Sequence, residues 1–502
     1  MELIKRLFNK HWLIISGITL ITVMWHGYAF GIGDQVLQLP LISKLLHPGL
    51  YTNDAIFPVL YSNRTWIYEV TVFLHNSFHI PVNIQYAIFY ILTMFFFYTG
   101  VYALSILYFQ SKIAAYLSCL LLAVPYPVGG TAMATVEQSF IPRQVAEMLL
   151  LWMAIKIIKN KPRLAFGLYV IILFIHPLTA GLALLLFLPL FTLIYRRPGQ
   201  NTPVSLFTLY FLISIIYLAV FNHTFADIPK ELLAPSAWLN ILKLRNFYAF
   251  PLLWPIRSWT YLGLSLIPLA IYYGKKLFRN KEWGMLEKAT FTLILTATLV
   301  FIFQILFTSI IPVSWIIPLQ LGRIWWLVII ISVIYAGYYL EKFVRSINIS
   351  PILTTYGIVI ALAILIGMRR QPILVGQSPD WIEVQLWAKT HTTPNCSFLV
   401  DFYSQGFRVY SERPIVGEYK DGTLSFYSKK FADIWNAKRE LFQGHDPQWY
   451  MDNLNSIREK YEFSFVVTDG SVNFSQKPLF NNAYFSIFPI STLESGCKVL
   501  RS

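Results

Sequence analysis

The sequence predicts a mainly α fold: a polytopic transmembrane helical bundle of about eleven spans with a small extracytoplasmic α/β domain at the C-terminus. Three observations predict it. Only 13% of the 502 residues are charged and 56% are hydrophobic, whereas a soluble domain is roughly 25% charged. Long apolar stretches recur through residues 1–368, most of them close to the ~20 residues a helix needs to cross hydrocarbon. The remainder, 369–502, is polar and nearly neutral, with 15 basic and 14 acidic residues.

The expected spans lie near 12–30, 82–109, 113–128, 142–158, 164–177, 178–195, 203–221, 256–274, 289–311, 323–341 and 351–368. The fifth is short and ends at His176-Pro177, which suits one limb of a re-entrant pair. Cytoplasmic loops collect Lys and Arg, and this orients the bundle. With the N-terminus inside, 17 basic residues fall in short inner loops, among them Lys5, Arg6, Lys156, Lys159, Arg163, Arg196, Arg197, Lys275, Lys276, Lys281 and Arg345. The outer side up to 368 carries eight, spread over longer loops. An odd number of spans leaves the C-terminal domain outside. The basic start and first apolar run read as an uncleaved signal-anchor, since no convincing small-x-small site follows.

The net charge of +15 resides almost wholly in residues 1–368, which hold 25 basic and 11 acidic residues. It is a topology signal with attraction to anionic lipid, and it gives no support to nucleic-acid binding. Cys119 lies in a span and reads as packing. Cys396 and Cys497 share the external domain, where they are either a disulfide or two free thiols. Sequons at Asn63, Asn222, Asn395 and Asn473 face outside in this topology.

Polar complexity gathers on the outer face. The first external loop, 31–81, is too long for a turn. Its stretches 37–47 and 64–78 mix apolar and polar positions in the manner of short helices lying at the membrane surface, separated by Pro40, Pro48 and Pro58. Further outer loops, 125–142, 222–257 and 312–323, are rich in Pro, Gly, Trp and Arg. The C-terminal domain opens with a helix at 380–390 and a strand at 397–400. Helices at 424–442 and 447–460 follow, then strands at 463–468 and 484–489, an alternation that signals α/β structure.

Candidate chemistry sits on the same face. Asp34 lies just past the first span, behind Gly31 and Gly33, which permit a tight turn. It is either a solvated helix-end carboxylate, a general base toward a hydroxyl, or a ligand for a hard divalent cation such as Mg or Mn. Asp54 follows Tyr51-Thr52-Asn53 and is either an Asx-turn residue or the second carboxylate of such a site. Glu137 and Arg143 flank the start of the fourth span, as an ion pair or with Arg143 free to fork two phosphate oxygens. Arg323 and Arg257 each open a span beside tryptophans (Trp325 and Trp326; Trp254 and Trp259). That is the pattern of interfacial snorkelling and also of phosphate binding. His176 falls between apolar runs, where a polar ring needs a cavity or a hydrogen bond. His75 and His79 share a helix face, but no third metal ligand lies nearby.

A first span ending in Gly33-Asp34, a large external loop with a second Asp, polar loops on one face and an external α/β domain together resemble the GT-C superfamily of multi-pass glycosyltransferases. The similarity extends to bacterial GT-C-like proteins through Gly406-Phe407-Arg408-Val409-Tyr410-Ser411-Glu412-Arg413-Pro414 and Trp435-Asn436-Ala437-Lys438-Arg439. The resemblance implies a bacterial inner-membrane enzyme using a polyprenyl-phosphate-linked sugar donor and an extracytoplasmic acceptor (glycan, lipid or protein). It implies a catalytic carboxylate at Asp34, acting as base, with Asp54 second, and donor-phosphate arginines at Arg143, Arg323 and Arg257. A single Asp stands where many members carry two, and some relatives use Arg in place of metal. Rival readings are a transporter or flippase for a lipid-linked or anionic solute, and a non-catalytic envelope scaffold.

Overall fold

The computed structural model describes residues 10–195, 209–214, 216–217, 227–279, 282–347, 357, 374–470, 472, 476–490 and 496–500. Of the expected span near 203–221 only 209–214 and 216–217 are described, and of that near 351–368 only 357. Asn222, Asn473, Lys5, Arg6, Arg196, Arg197 and Lys281 lie outside the described residues.

The chain is mainly helical. Helix α1 (Lys10–His26) ends before the expected boundary, because Tyr28–Ala29 (β1) leaves the helix to pair in parallel with Leu374–Val375 (β2). The 31–81 segment folds as α2 (Gln35–Leu46), α3 (Phe57–Ser62) and α4 (Trp66–Phe78). On α4, Trp66, Val70 and Phe73 follow helical spacing and stay exposed, as an interfacial helix requires.

Helix α5 (Val82–Phe109) carries no charged residue and runs about 42 Å at 1.5 Å per residue. Its Ile84, Ile88, Ile91 and Leu92 are exposed along one face. Such a stripe is unfavourable in water and natural against lipid. Helix α6 (Lys112–Leu121) is shorter than its expected span, because Pro125 and Pro127 turn the chain into the 125–142 loop. Then come α7 (Pro142–Ile158), α8 (Pro162–Ile175), α9 (Pro177–Tyr195), α10 (Ser236–Arg245) and α11 (Ile256–Phe278). Helix α12 (Met285–Gln304) passes into a π-helical turn (Ile305–Ile310), and α13 (Trp325–Ser346) follows. Helix α13 lies against α6 with Gly337 over Ser118: a Cβ there would meet the Ser118 backbone nitrogen at 2.8 Å.

Among the described residues, four helical segments are long and apolar enough to cross a membrane: Val82–Phe109, Pro177–Ile194, Met285–Ile310 and Ile317–Ser346. The break at His176 separates α8 from α9, and both belong to the packed bundle.

The C-terminal region contains α14 (Pro379–His391), β3 (Phe398–Leu399), α15 (Phe407–Ser411) and a 3-10 segment (Tyr419–Phe426). It continues with α16 (Lys429–Phe442), α17 (Pro447–Asp452), α18 (Leu454–Lys460), β4 (Phe465–Asp469), β5 (Phe480–Asn481) and β6 (Phe485–Pro489). The sheet order is β3-β4-β6-β5, with β3 parallel to β4 and the other pairs antiparallel. Ser378 caps α14 by accepting the Trp381 N–H, and Pro379 opens its first turn. Trp381, Val384 and Ala388 then pack on the sheet. The helix expected over 424–442 is two elements: Ser428 caps α16 at the Phe431 N–H and cuts the run in two. Cys396 and Cys497 form a disulfide across 101 residues of sequence.

Candidate functional site

The starts of α2, α7 and α9 and the turn before α13 gather at one face of the bundle. There they enclose, with the 60–68 stretch and the 3-10 segment, a cavity of about 640 Å³. That volume suits a small organic ligand or a headgroup. Its apolar walls include Leu37, Leu41, Leu60, Leu178, Leu182 and Leu185. Its polar side brings together Asp34, Arg143, His176, Arg245, Arg323 and Lys420.

Asp34 is positioned by a stitched turn. Gly31 and Gly33 hold φ values of +76° and +63°, a left-handed region that costs a residue with a Cβ. Gln35 then bridges two segments: its Oε1 accepts the Gly31 N–H at 2.8 Å and its Nε2 donates to the Phe140 carbonyl at 2.9 Å. The Gln377 side chain donates to the Gly31 carbonyl at 2.8 Å. Asp34 stands at the N-terminus of α2, yet its side chain makes no capping hydrogen bond. Its carboxylate, 42% exposed, turns into the cavity, where the Lys420 ammonium donates to it at 2.8 Å. Lys420 foremost, with Arg143 and Arg323 adding, holds the Asp34 carboxyl well below the usual carboxylate range against the opposing effect of burial.

The arginines differ in how they are occupied. Arg143, on the first turn of α7, donates to Glu137 at 2.6 Å and lies 3.6 Å from Glu147, on the next turn of the same helix. Arg323, in the turn before α13, has no carboxylate within ion-pair distance among the described residues, and its Nε is buried without a hydrogen-bond partner. Arg245 is tied to the 3-10 segment, donating to the Tyr419 carbonyl at 3.0 Å and to Thr423 Oγ1 at 2.9 Å. His176 Nδ1 accepts the Thr179 N–H at 3.2 Å at the start of α9, which leaves Nε2 as the nitrogen able to meet a ligand.

Asp54 goes elsewhere. It does not line the cavity; its two oxygens accept from Arg408 at 2.6 and 3.1 Å, and Oδ1 also closes an Asx-turn with the Ile56 N–H at 3.4 Å. The second guanidinium edge of Arg408 donates to Asp421 at 2.9 and 3.0 Å. Glu418 completes the cluster, 3.6 Å from Arg408. All four side chains are almost wholly buried. This knot joins the 31–81 segment to the C-terminal region. It also gives the Gly406–Pro414 stretch a structural role, together with Tyr51, whose hydroxyl donates to the Arg408 carbonyl at 2.8 Å.

Two further candidates are not brought to the cavity. Arg257 is exposed near the start of α11, away from the lining residues. His75 lies near the end of α4, with Nδ1 3.2 Å from the Ile80 carbonyl. Among the described residues no three His, Cys, Asp or Glu side chains gather as a metal site. Asp34 and Asp54 each face a cation of the protein and do not share a site, so they do not fit as a ligand pair for Mg or Mn.

Lys420 and Arg245 escape sequence reasoning because nothing local marks them; both belong to polar segments with ordinary charge density. Residues 379–430, a small part of the chain, match the family described as Domain of unknown function (DUF6798). The matched stretch includes Arg408, Glu418, Lys420, Asp421 and Thr423. No protein with a curated description matches the chain.

Proposed function

We propose that the protein is an integral-membrane glycosyltransferase of the GT-C kind, transferring a sugar from a polyprenyl-phosphate-linked donor to an extracytoplasmic acceptor. In this reading the bundle has about eleven spans with a cytoplasmic N-terminus in a bacterial inner membrane, and residues 369–502 lie outside. One observation carries it. A free carboxylate face, an unpaired arginine and a leucine-lined wall meet in a single cavity at the end of helices long enough to cross a membrane.

The chemistry follows from that set. The acceptor hydroxyl oxygen bonds to the anomeric carbon and its proton passes to Asp34. The bond from that carbon to the phosphate oxygen breaks, and the electron pair leaves with the polyprenyl phosphate. Charge developing on the leaving oxygen is met by Arg323, whose Nε has no other partner. Arg143, held by two carboxylates, shapes the wall more than it binds the phosphate. The leucines take the proximal part of the lipid tail.

Asp34→Asn tests the base. The amide keeps the size and loses proton affinity, so turnover of a purified lipid-linked sugar should fall about 10²–10⁴-fold with the fold intact. Unchanged turnover removes Asp34 from the reaction. Donor binding without turnover in the wild type points instead to transport or to a scaffold. Reporters fused at 282 and 430 should report opposite sides of the membrane, and the same side for both defeats the topology.

A further inference from the structure

Asp34 presents a difficulty for the proposed chemistry. A carboxylate 2.8 Å from an ammonium is a weak proton acceptor, yet the reaction asks it to take a proton. The surroundings of Lys420 suggest the resolution. Its backbone is pinned on three sides: Arg245 binds the Tyr419 carbonyl and Thr423, and Arg408 holds Asp421. The third pin is Trp435, packed so closely on Gly422 that a Cβ there would clash with its ring. What these contacts leave unheld is the four-carbon stem and its ammonium, a point charge with three rotatable donors and no fixed fork. That ammonium lines the same cavity as Arg323 and is 15% exposed.

A phosphate group brought into this cavity meets Arg323, which supplies one positive charge. It also competes directly with Asp34 for the second. We propose that Lys420, supplied by the C-terminal region, is a phosphate ligand that Asp34 occupies in the free protein, and that phosphate binding moves the ammonium from Asp34 to the phosphate. The exchange links two events. It adds a charge-assisted contact to the phosphate, and it releases the carboxylate that must accept the acceptor's proton only when a donor is present. Asp34 is thus a placeholder before binding and a base after it. The inference rests on the donor-phosphate reading of the cavity, and its test uses binding alone, without turnover.

The measurement is binding of farnesyl phosphate to the full chain in phosphatidylcholine nanodiscs, for the wild type, Asp34→Asn, Lys420→Ala and the double variant. If Asp34 holds Lys420 in the free protein, Asp34→Asn frees the ammonium and tightens binding by about fivefold, the scale of a partly exposed ion pair. Lys420→Ala weakens binding by about 10–100-fold, the scale of a hydrogen bond to a charged group. The decisive quantity is the coupling between the two. In the Lys420→Ala background, Asp34→Asn should change affinity by less than about twofold.

An equal gain from Asp34→Asn with and without Lys420 would mean simple removal of a repelling charge, and it overturns the exchange. So does the absence of any gain in Asp34→Asn, a result that does not depend on whether Lys420→Ala folds. Binding of farnesyl phosphate by none of the four proteins overturns the donor-phosphate reading along with the exchange. A parallel titration with inorganic phosphate separates the sources: the same coupling at equal affinity assigns the site to free phosphate and defeats its lipid-linked assignment.

Discussion

Arg408 and Arg323 are both guanidiniums withdrawn from bulk water, and the protein surrounds them in opposite ways. Arg408 is enclosed by Asp54, Asp421 and Glu418, with four hydrogen bonds of 2.6–3.1 Å to the two aspartates. Arg323 faces the cavity with its Nε unpartnered and no carboxylate beside it among the described residues. A buried charge is tolerated when its geometry is satisfied, so the first arrangement reads as a structural joint. The second leaves donor capacity unspent where a ligand can reach it, which is how a binding group differs from a packing group. The same contrast separates the two aspartates of the 31–81 segment. Asp54 is consumed by the joint, whereas Asp34 keeps an exposed face in the cavity.

Breaking the joint should give the largest effect. Arg408→Ala strands three buried carboxyls, and removing one partner of a buried ion pair typically costs about 3–5 kcal/mol. Thermal unfolding of the purified protein should show a drop of that order, together with protease sensitivity between the bundle and the C-terminal region. A drop below about 1 kcal/mol would mean that the cluster does not join the two.

Arg323→Ala should invert that pattern. No partner is left stranded, so stability should change by less than about 1 kcal/mol. Binding of a lipid phosphate should weaken by about 10–100-fold, and Arg323→Lys should recover part of it, because charge returns without the fork. Equal losses of stability in Arg323→Ala and Arg408→Ala would erase the distinction between joint and site.

The smallest effect concerns pH. Burial first, and then the neighbouring Asp421, push the Glu418 carboxyl up to about 8. The folded-state value lies above the unfolded one, so this acid holds its proton more tightly when folded. Its contribution to stability is complete below about pH 4.5 and is lost as pH rises toward 8. Wild-type protein should therefore lose stability between pH 5 and pH 8 through this group, and Glu418→Gln should flatten that slope. An unchanged slope would mean that Glu418 is ionised throughout. Asp34 has the opposite sign: its lowered pKa favours the folded state above the usual carboxylate range, and that advantage fades only in strong acid.

The C-terminal α/β region was legible from period and punctuation. The helix at 379–391, the strand at 465–469 and the last strand at 485–489 lie within a few residues of expectation. Boundaries failed where a distant segment intervened. Helix α1 stops early because 374–375 captures 28–29 as a strand pair, and no local pattern announces a partner so far along the chain.

What the sequence by itself determined is the chemistry of each stretch: which runs are apolar, which loops are polar, and that Asp34, Arg143, His176 and Arg323 stand at helix ends. These follow from composition and periodicity, which are local quantities. What only the tertiary structure decided is pairing. Asp34 meets Lys420 across 386 residues and Asp54 meets Arg408 across 354. Both aspartates sit in the same loop with similar neighbours, and nothing near either one distinguishes a cavity carboxylate from a buried joint. That choice depends on where the C-terminal region docks. Docking is set by contacts between distant segments, as in Gly31 under the Tyr410 ring and the Tyr51 hydroxyl at the Arg408 carbonyl, and local sequence patterns carry no record of it.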